Sequence, residues 1–426
     1  MISTSKAHFG ARVSRALFLA GLVGLVGLVG MTLGFFPSAQ AQVRLPDGNG
    51  KDIVQKACTQ CHGLGEIFRS GYKGDDWRRI VPLMVGYGAA VSGDQMPVVI
   101  DYLAKNIVPT PKPEAKVVPG NVEATITEWP LPKAGSWPHD AYVTRDGSVW
   151  YSAQNTNRLG RFDPRTGQFK EFDLKTPNSG PQSMVDDPEG NIWFTPADGK
   201  YVGKLDPKTG SITEYPLSDP NASHPHTPVL DGKGNLWLTI SGKSQLGRMN
   251  LRSGEMQIVS TRTPDANPYG ITVNSQGVPF ATLFNTNKLA SVDPNTMEVR
   301  EYTLPNPQTR PRRLAITPDD VVWYTDYARG YLGLYNPKTG EAKEWPSPSG
   351  PQSGPYGITA VGNILWYAET GTSKNTVVRF DPQTEKFQTW VIPSGKGMPR
   401  VMSSDQRGNV WFVQSHSNAL ARVEVK

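Results

Sequence analysis

The residues whose types and spacing most directly suggest chemistry are Cys58-Thr59-Gln60-Cys61-His62. In a Cys-x-x-Cys-His arrangement two thioethers hold the vinyl carbons of a haem, and the adjacent histidine is placed to bind its iron from one face. A redox dithiol or half of a zinc site would use the same residue types. No thioredoxin-like strand and helix context surrounds the motif, and the chain has no second cysteine pair to complete a zinc site. One covalent haem c is the expected cofactor, held by Cys58, Cys61 and His62. With only these two cysteines in 426 residues, the fold must rest on a buried core and not on a disulfide framework.

An export signal precedes the motif. Lys6, Arg12 and Arg15 lead into an uncharged apolar run over 16–36, followed by Ala39-Gln40-Ala41. This order of basic segment, apolar segment and small-residue triplet predicts a signal peptide over 1–41, cleaved after Ala41, and a periplasmic location. The rival reading is an uncleaved anchor, since about 20 apolar residues span a bilayer. Membrane attachment is expected only in that case. The formal net charge is +6, and three of those charges lie in the signal. The remainder is too small to argue for nucleic acid, and no basic run interleaved with aromatics is present.

Residues 49–106 resemble a small class I cytochrome c domain. The segment 50–57 looks like its first helix, running into the haem motif, and 93–106 with Tyr102-Leu103 looks like its last. The resemblance implies that a methionine from the loop before the last helix binds iron opposite His62. Met84 holds that place, eight residues before Ser92, a candidate helix cap, and Met96 is its competitor inside the first turn of that helix. A methionine filling a gap in the core is the plain alternative for either. A His/Met pair raises the haem potential relative to bis-His ligation. Trp77 and Tyr87 are expected to cover the haem edge or simply to belong to the core. The haem domain is thus placed at 42–107. Prolines at 109, 111, 113 and 119 make 108–120 an extended, semi-rigid spacer.

The remainder, 121–426, repeats. Tryptophans at 150, 193, 237, 323, 366 and 411, with Phe280 in the open slot, recur every 43 to 45 residues. A period of about 43 with four strand-sized runs per unit is the mark of a β-propeller blade. The 43 glycines and 37 prolines, about a fifth of the chain, supply the hairpin turns between runs. The outermost strand has its marker at Trp129, Phe172, Tyr215, Ile258, Tyr302, Trp345 and Trp390, and its first copy precedes the first complete unit. The strand over 124–131 should therefore complete the blade begun at Met398 and close the ring, leaving no open edge. The expected fold is mainly β: a seven-bladed propeller preceded by a small all-α haem domain. The blade tryptophans are expected to pack between sheets.

This repeat grammar, with Pro-Tyr-Gly-Ile-Thr at 268–272 and 355–359, looks like that of the streptogramin B (virginiamycin B) lyase family over 121–426. Members of that family open a cyclic depsipeptide lactone by metal-assisted elimination, which needs a base and a cation. The resemblance implies catalytic histidines after the prolines that open the innermost strands of the last two blades. Those positions hold Tyr356 and Arg400. Met398 stands where a glutamate is expected, and Gln414 or Ser415 replaces the expected acid. Arginine cannot act as a base near neutral pH. The lyase apparatus is missing as a set.

By the same correspondence His139, Gln182, His226, Tyr269, Arg312, Tyr356 and Arg400 should line the central channel, with Asp326 and Glu369 as acids at its mouth. They would make a site for a polar ligand, anionic ones included, or a solvated funnel whose charges pair with one another. The functional expectation is a periplasmic c-type haem protein for electron transfer, its propeller binding a small polar substrate or a periplasmic redox partner. The alternatives are a streptogramin B-type C–O lyase with altered catalytic residues and a non-enzymatic haem-bearing docking scaffold.

Overall fold

In the computed structural model, residues 44–59, 64–86, 89–109, 111–395 and 397–426 are described. The expected export signal lies outside them, as do Cys61, His62 and Tyr87. Among the described residues no helix is long and apolar enough to cross a membrane.

The repeats fold into seven four-stranded antiparallel sheets. Six are built from consecutive strands, as in Pro138–Val143, Val149–Ala153, Arg158–Asp163 and Gln168–Asp173. The seventh joins the two ends of the ring. Ala124–Pro130 pairs antiparallel with Ala419–Val425, from Ala124↔Val425 to Pro130↔Ala419, outside Val410–Gln414 and Met402–Ser404. The closing strand is thus the one expected, while the innermost strand of that blade starts at Met402 instead of 398. Closure pairs backbone groups that would otherwise form an exposed edge.

The blade tryptophans are buried and pack between sheets. Trp150, Leu159 and Phe172 of the first blade join Met184, Ile192 and Phe194 of the second in one apolar cluster. Tryptophans also meet their outer-strand markers: Trp323 stacks on Trp345, Trp366 on Trp390 and Trp411 on Trp129, all with ring centroids 5.5 Å apart. Glycine is required where an aromatic ring crosses the third strand. A Cβ on Gly333 would lie 2.2 Å from Cζ of Tyr324, whose hydroxyl reaches over it to donate to Glu344 at 3.0 Å.

The helical segment contains α1 (Lys51–Cys58), α2 (Leu64–Arg69), α3 (Asp76–Gly86) and α4 (Met96–Asn106). They enclose their own apolar cluster, including Val54, Trp77, Ile80, Val99 and Leu103. Gly50, at φ 107°, sits where α1 meets α4: a Cβ there would come 2.8 Å from Cβ of Tyr102. The last helix starts three residues later than expected, with Pro97 in its first turn, because the backbone of 92–96 is spent on the turn that Gln95 and Met96 close onto the Ser92 carbonyl.

The proline-rich stretch is extended but does not hang free as a spacer. Its backbone bonds to the sixth blade: Thr389 N–H donates to the Val118 carbonyl at 3.0 Å, Val118 N–H to Thr389 Oγ1 at 2.8 Å, and Ser373 N–H to the Pro113 carbonyl at 2.8 Å. Helices and propeller form one compact unit over Arg44–Lys426.

Candidate functional site

Six of the seven innermost strands open on a proline that cannot donate to the ladder, and the pairing slips beside it; the seventh opens at Met402 and pairs without a slip. In the fifth blade the register shifts between Pro311 and Leu314, in the first between Pro138 and Ala141. A slip of this kind breaks strict alternation and re-aims side chains. Two consecutive residues, and not one, can then turn toward the channel. This brings in Asp140 beside His139, Thr227 beside His226 and Arg313 beside Arg312, which alternation would have sent to the opposite face.

His139, His226, Tyr269, Tyr356 and Arg312 lie close to one another. The rings of His139 and His226 lie 6.1 Å apart, and those of His226 and Tyr269 lie 4.0 Å apart. The hydroxyls of Tyr269 and Tyr356 share a 2.5 Å hydrogen bond. The Arg312 guanidinium sits 3.8 Å from the Tyr356 ring centroid, 4.1 Å from that of Tyr327 and 4.9 Å from that of Phe284. Such close stacking is cation–π geometry, stronger where water is excluded. Arg313, only 5% exposed, donates from Nη1 to Thr227 Oγ1 at 2.7 Å and lies 3.9 Å from Asp140. Its Nε and Nη2 are buried without a hydrogen bond among the described residues.

The electrostatics follow from burial and from these cations. Burial pushes the His139 imidazole down to about 4, only partly opposed by Asp140 2.7 Å from its Nδ1, and holds His226 well below 6.5. Both are neutral imidazoles near neutral pH, with His139 donating its Nδ1 proton to an ionised Asp140. Burial raises the Tyr356 phenol. Burial also acts to raise Tyr269, but the guanidinium groups of Arg312 and Arg313 outweigh it and hold that phenol below its ordinary value. Tyr356 is therefore the donor in the shared hydrogen bond, and Tyr269 takes the negative charge more readily.

The remaining expected residues make other contacts. Arg400 donates to Ser415 Oγ, with its guanidinium carbon 5.8 Å from the Trp137 ring. Gln182 is buried, and its amide oxygen makes no hydrogen bond among the described residues. Asp326 and Glu369 sit at the same end of the ladder, one strand out, opposite Pro311 and Pro355. Asp326 is held by Arg329 at 3.1 Å, and Glu369 accepts from Ser347, Ser349 and Thr376. These two acids are consumed by their own loops. Sequence reading missed Asp140, Arg313, Thr227, Trp137, Phe284 and Tyr327; the recurring strand-opening proline was the one signal that alternation would fail there.

In the helical segment Cys58 is the last residue of α1, half-buried against the apolar cluster that also carries Met84 and Met96. Met84 lies two residues before the end of α3, and not in the following loop. The Trp77 indole is 4% exposed, its N–H buried without an acceptor among the described residues. No group of three or more His, Cys, Asp or Glu side chains converges among the described residues.

The sequence model of the virginiamycin B lyase family matches residues 110–278 and 254–426. Among solved structures, a streptogramin B lyase is 24% identical with a TM-score of 0.65, over 71% of this chain and 98% of that one. Virginiamycin B lyase from Staphylococcus aureus is 22% identical with a TM-score of 0.64, over 71% and 99%. Kuenenia stuttgartiensis hydrazine synthase is 14% identical with a TM-score of 0.56, over 70% and 97%. Among curated protein sequences nothing matches. At these identities the structural likeness speaks for the shared propeller, whereas the family match spans most of the chain, from the proline-rich stretch to the closing blade: the chain belongs to the virginiamycin B lyase family.

Proposed function

We propose that this protein is an exported c-type haem protein for electron transfer, whose propeller binds a small polar substrate or a redox partner. The observation that carries the reading is the Cys58-x-x-Cys61-His62 motif beginning at the last residue of α1, with Cys58 packed on the same apolar cluster as Met84. The helical segment suits the group. Val54, Ile80, Val81, Val99 and Leu103 supply an apolar shell that excludes water, and the unpartnered Trp77 N–H is a buried donor suited to a carboxylate. Cys58 and Cys61 would hold the haem, and His62 and Met84 would ligate its iron from opposite faces. A haem so held supplies reversible one-electron chemistry. The chain's part is to fix its orientation, keep it dry and set its potential through the axial pair and nearby charge.

A lyase reading is not favoured. Neither Tyr356, a buried phenol raised by its surroundings, nor Arg400, always protonated, supplies the base that metal-assisted elimination needs.

The test is expression of the full chain with and without haem-maturation factors. The product should carry a covalent c-type spectrum that disappears in Cys58→Ala/Cys61→Ala. Met84→Ala should abolish the methionine–iron charge-transfer band, and Met96→Ala should leave it. No covalent haem on the matured wild-type chain would refute the reading.

A further inference from the structure

Cations gather where the helices and the linker meet the propeller face. Arg79 of α3 places its guanidinium carbon 4.8 Å from the centroid of Trp137, and Arg400, from the closing blade, lies 5.8 Å from the same ring. The edge of Trp137 packs on His416 at 4.8 Å. Lys112, from the proline-rich stretch, lies close enough to act on His416 together with Arg400 and Arg79. Among the described residues its ammonium bonds to the Thr370 carbonyl, at 3.4 Å. A cleft lined by Ser70 of the helical segment, Lys112, Tyr327, Gly354, Thr370 and Met398 reaches this group at Lys112, while Arg79, Arg400 and Trp137 lie outside its lining.

Several arginines of the chain are matched by a carboxylate: Arg78 by Asp75 at 3.0 Å, Arg329 by Glu344 at 2.9 Å, Arg158 by Asp173 at 2.5 Å. Among the described residues no carboxylate pairs with Arg79, Arg400 or Lys112. Further in, the carboxylate nearest Arg313 among the described residues is that of Asp140, at 3.9 Å. Lys112 and Arg400 are half-buried and Arg79 is exposed; like charges brought together repel, a cost that an anion between them reduces. Two neutral donors lie nearby: Tyr72, half-buried and within electrostatic reach of Arg400 and Arg79, and Trp77, whose ring meets Tyr72 edge-on at 5.6 Å. The Trp77 N–H has no acceptor among the described residues.

We propose that this junction is a carboxylate-binding site, in which Arg400, Arg79 and Lys112 hold an acid group between the helical segment and the mouth of the propeller channel. Planar guanidinium groups suit a carboxylate by paired hydrogen bonds, and both of these lie against the Trp137 indole. The acid group has two sources. One is a propionate of the haem, an arm that rests on the function proposed above; the other is a free small carboxylate, which does not.

Succinate, titrated calorimetrically into the full chain, separates them. The haem-free chain, made without maturation factors, should bind succinate, and Arg400→Gln should weaken that binding at least tenfold, the loss of one charged hydrogen-bonding partner. Arg400→Lys should recover part of it, and circular dichroism should show both variants folded. If the haem-loaded chain no longer binds succinate and Arg400→Gln lowers its reduction potential, the seated carboxylate is the propionate. If loaded and haem-free chains both bind, it is a free ligand. Either result supports the site. No succinate binding by the haem-free chain at millimolar concentration, together with an unchanged potential in Arg400→Gln, overturns it. A chain that never takes haem would defeat the functional reading but leave the succinate titration decisive here.

Discussion

Asp140→Asn removes a single charge from the interior of the propeller and changes almost nothing else in shape. Asp140 is 1% exposed, 2.7 Å from His139 Nδ1 and 3.9 Å from Nη2 of Arg313. No other carboxylate pairs with Arg313 among the described residues, and that arginine is itself 5% exposed. Stripping one member from a buried ion pair strands the other, at a typical cost of about 3–5 kcal/mol. That is a large part of the roughly 5–15 kcal/mol that holds an ordinary domain together. Arg313→Met should strand Asp140 in the same way, although His139 keeps donating to it, so the loss should be smaller. The double variant removes both charges and should be more stable than Asp140→Asn alone. The assay is guanidinium unfolding followed by tryptophan fluorescence, since the blade tryptophans report the propeller transition. If Asp140→Asn costs less than about 1 kcal/mol, or if the double variant loses the sum of the single losses, the two charges are not coupled and the reasoning fails.

Two further predictions rest on other features. Gly333→Ala would drive a methyl group against the Tyr324 ring and should destabilise the fold by at least about 1–3 kcal/mol; Tyr324→Ala should relieve most of the added loss in a double variant, and a melting temperature unchanged by Gly333→Ala would count against the packing described. His224 donates from Nδ1 to the Ala197 carbonyl at 3.0 Å, and burial lowers its pKa to about 4. The unfolded chain takes up this proton near 6.5, so the folded state's advantage is complete above 6.5 and is lost as pH falls toward 4. A fall from 6.5 to about 4 corresponds to about 3 kcal/mol, at 1.36 kcal/mol for each unit. Denaturant midpoints at pH 7.5, 5.5 and 4.5 should decline in wild type and decline less in His224→Asn, which tolerates the left-handed backbone there (φ 58°); equal slopes would contradict the assignment.

The sequence by itself determined the ring. Period-2 alternation, turn residues and a spacing of 43 to 45 between tryptophans are local properties, and they specified seven blades, the Ala124–Pro130 closing strand and the packing of the tryptophans between sheets. It also brought His139, His226, Tyr269, Arg312 and Tyr356 to one channel, because equivalent positions of equivalent blades must point the same way. Only the tertiary structure decided what those residues do to one another. Asp140 and Arg313 reach the channel because the ladder slips beside a proline, and alternation has no way to register a slip. Asp326 and Glu369, acids at the right end of the right strands, are taken up by Arg329 and by the hydroxyls of neighbouring loops. The junction joins Arg400 to Lys112 and Arg79, 288 and 321 positions earlier in the chain, so its unbalanced charge exists only once the helices lie on the propeller face. Element identity is carried by short-range pattern, whereas charge balance is a sum over neighbours that the folded chain alone brings together.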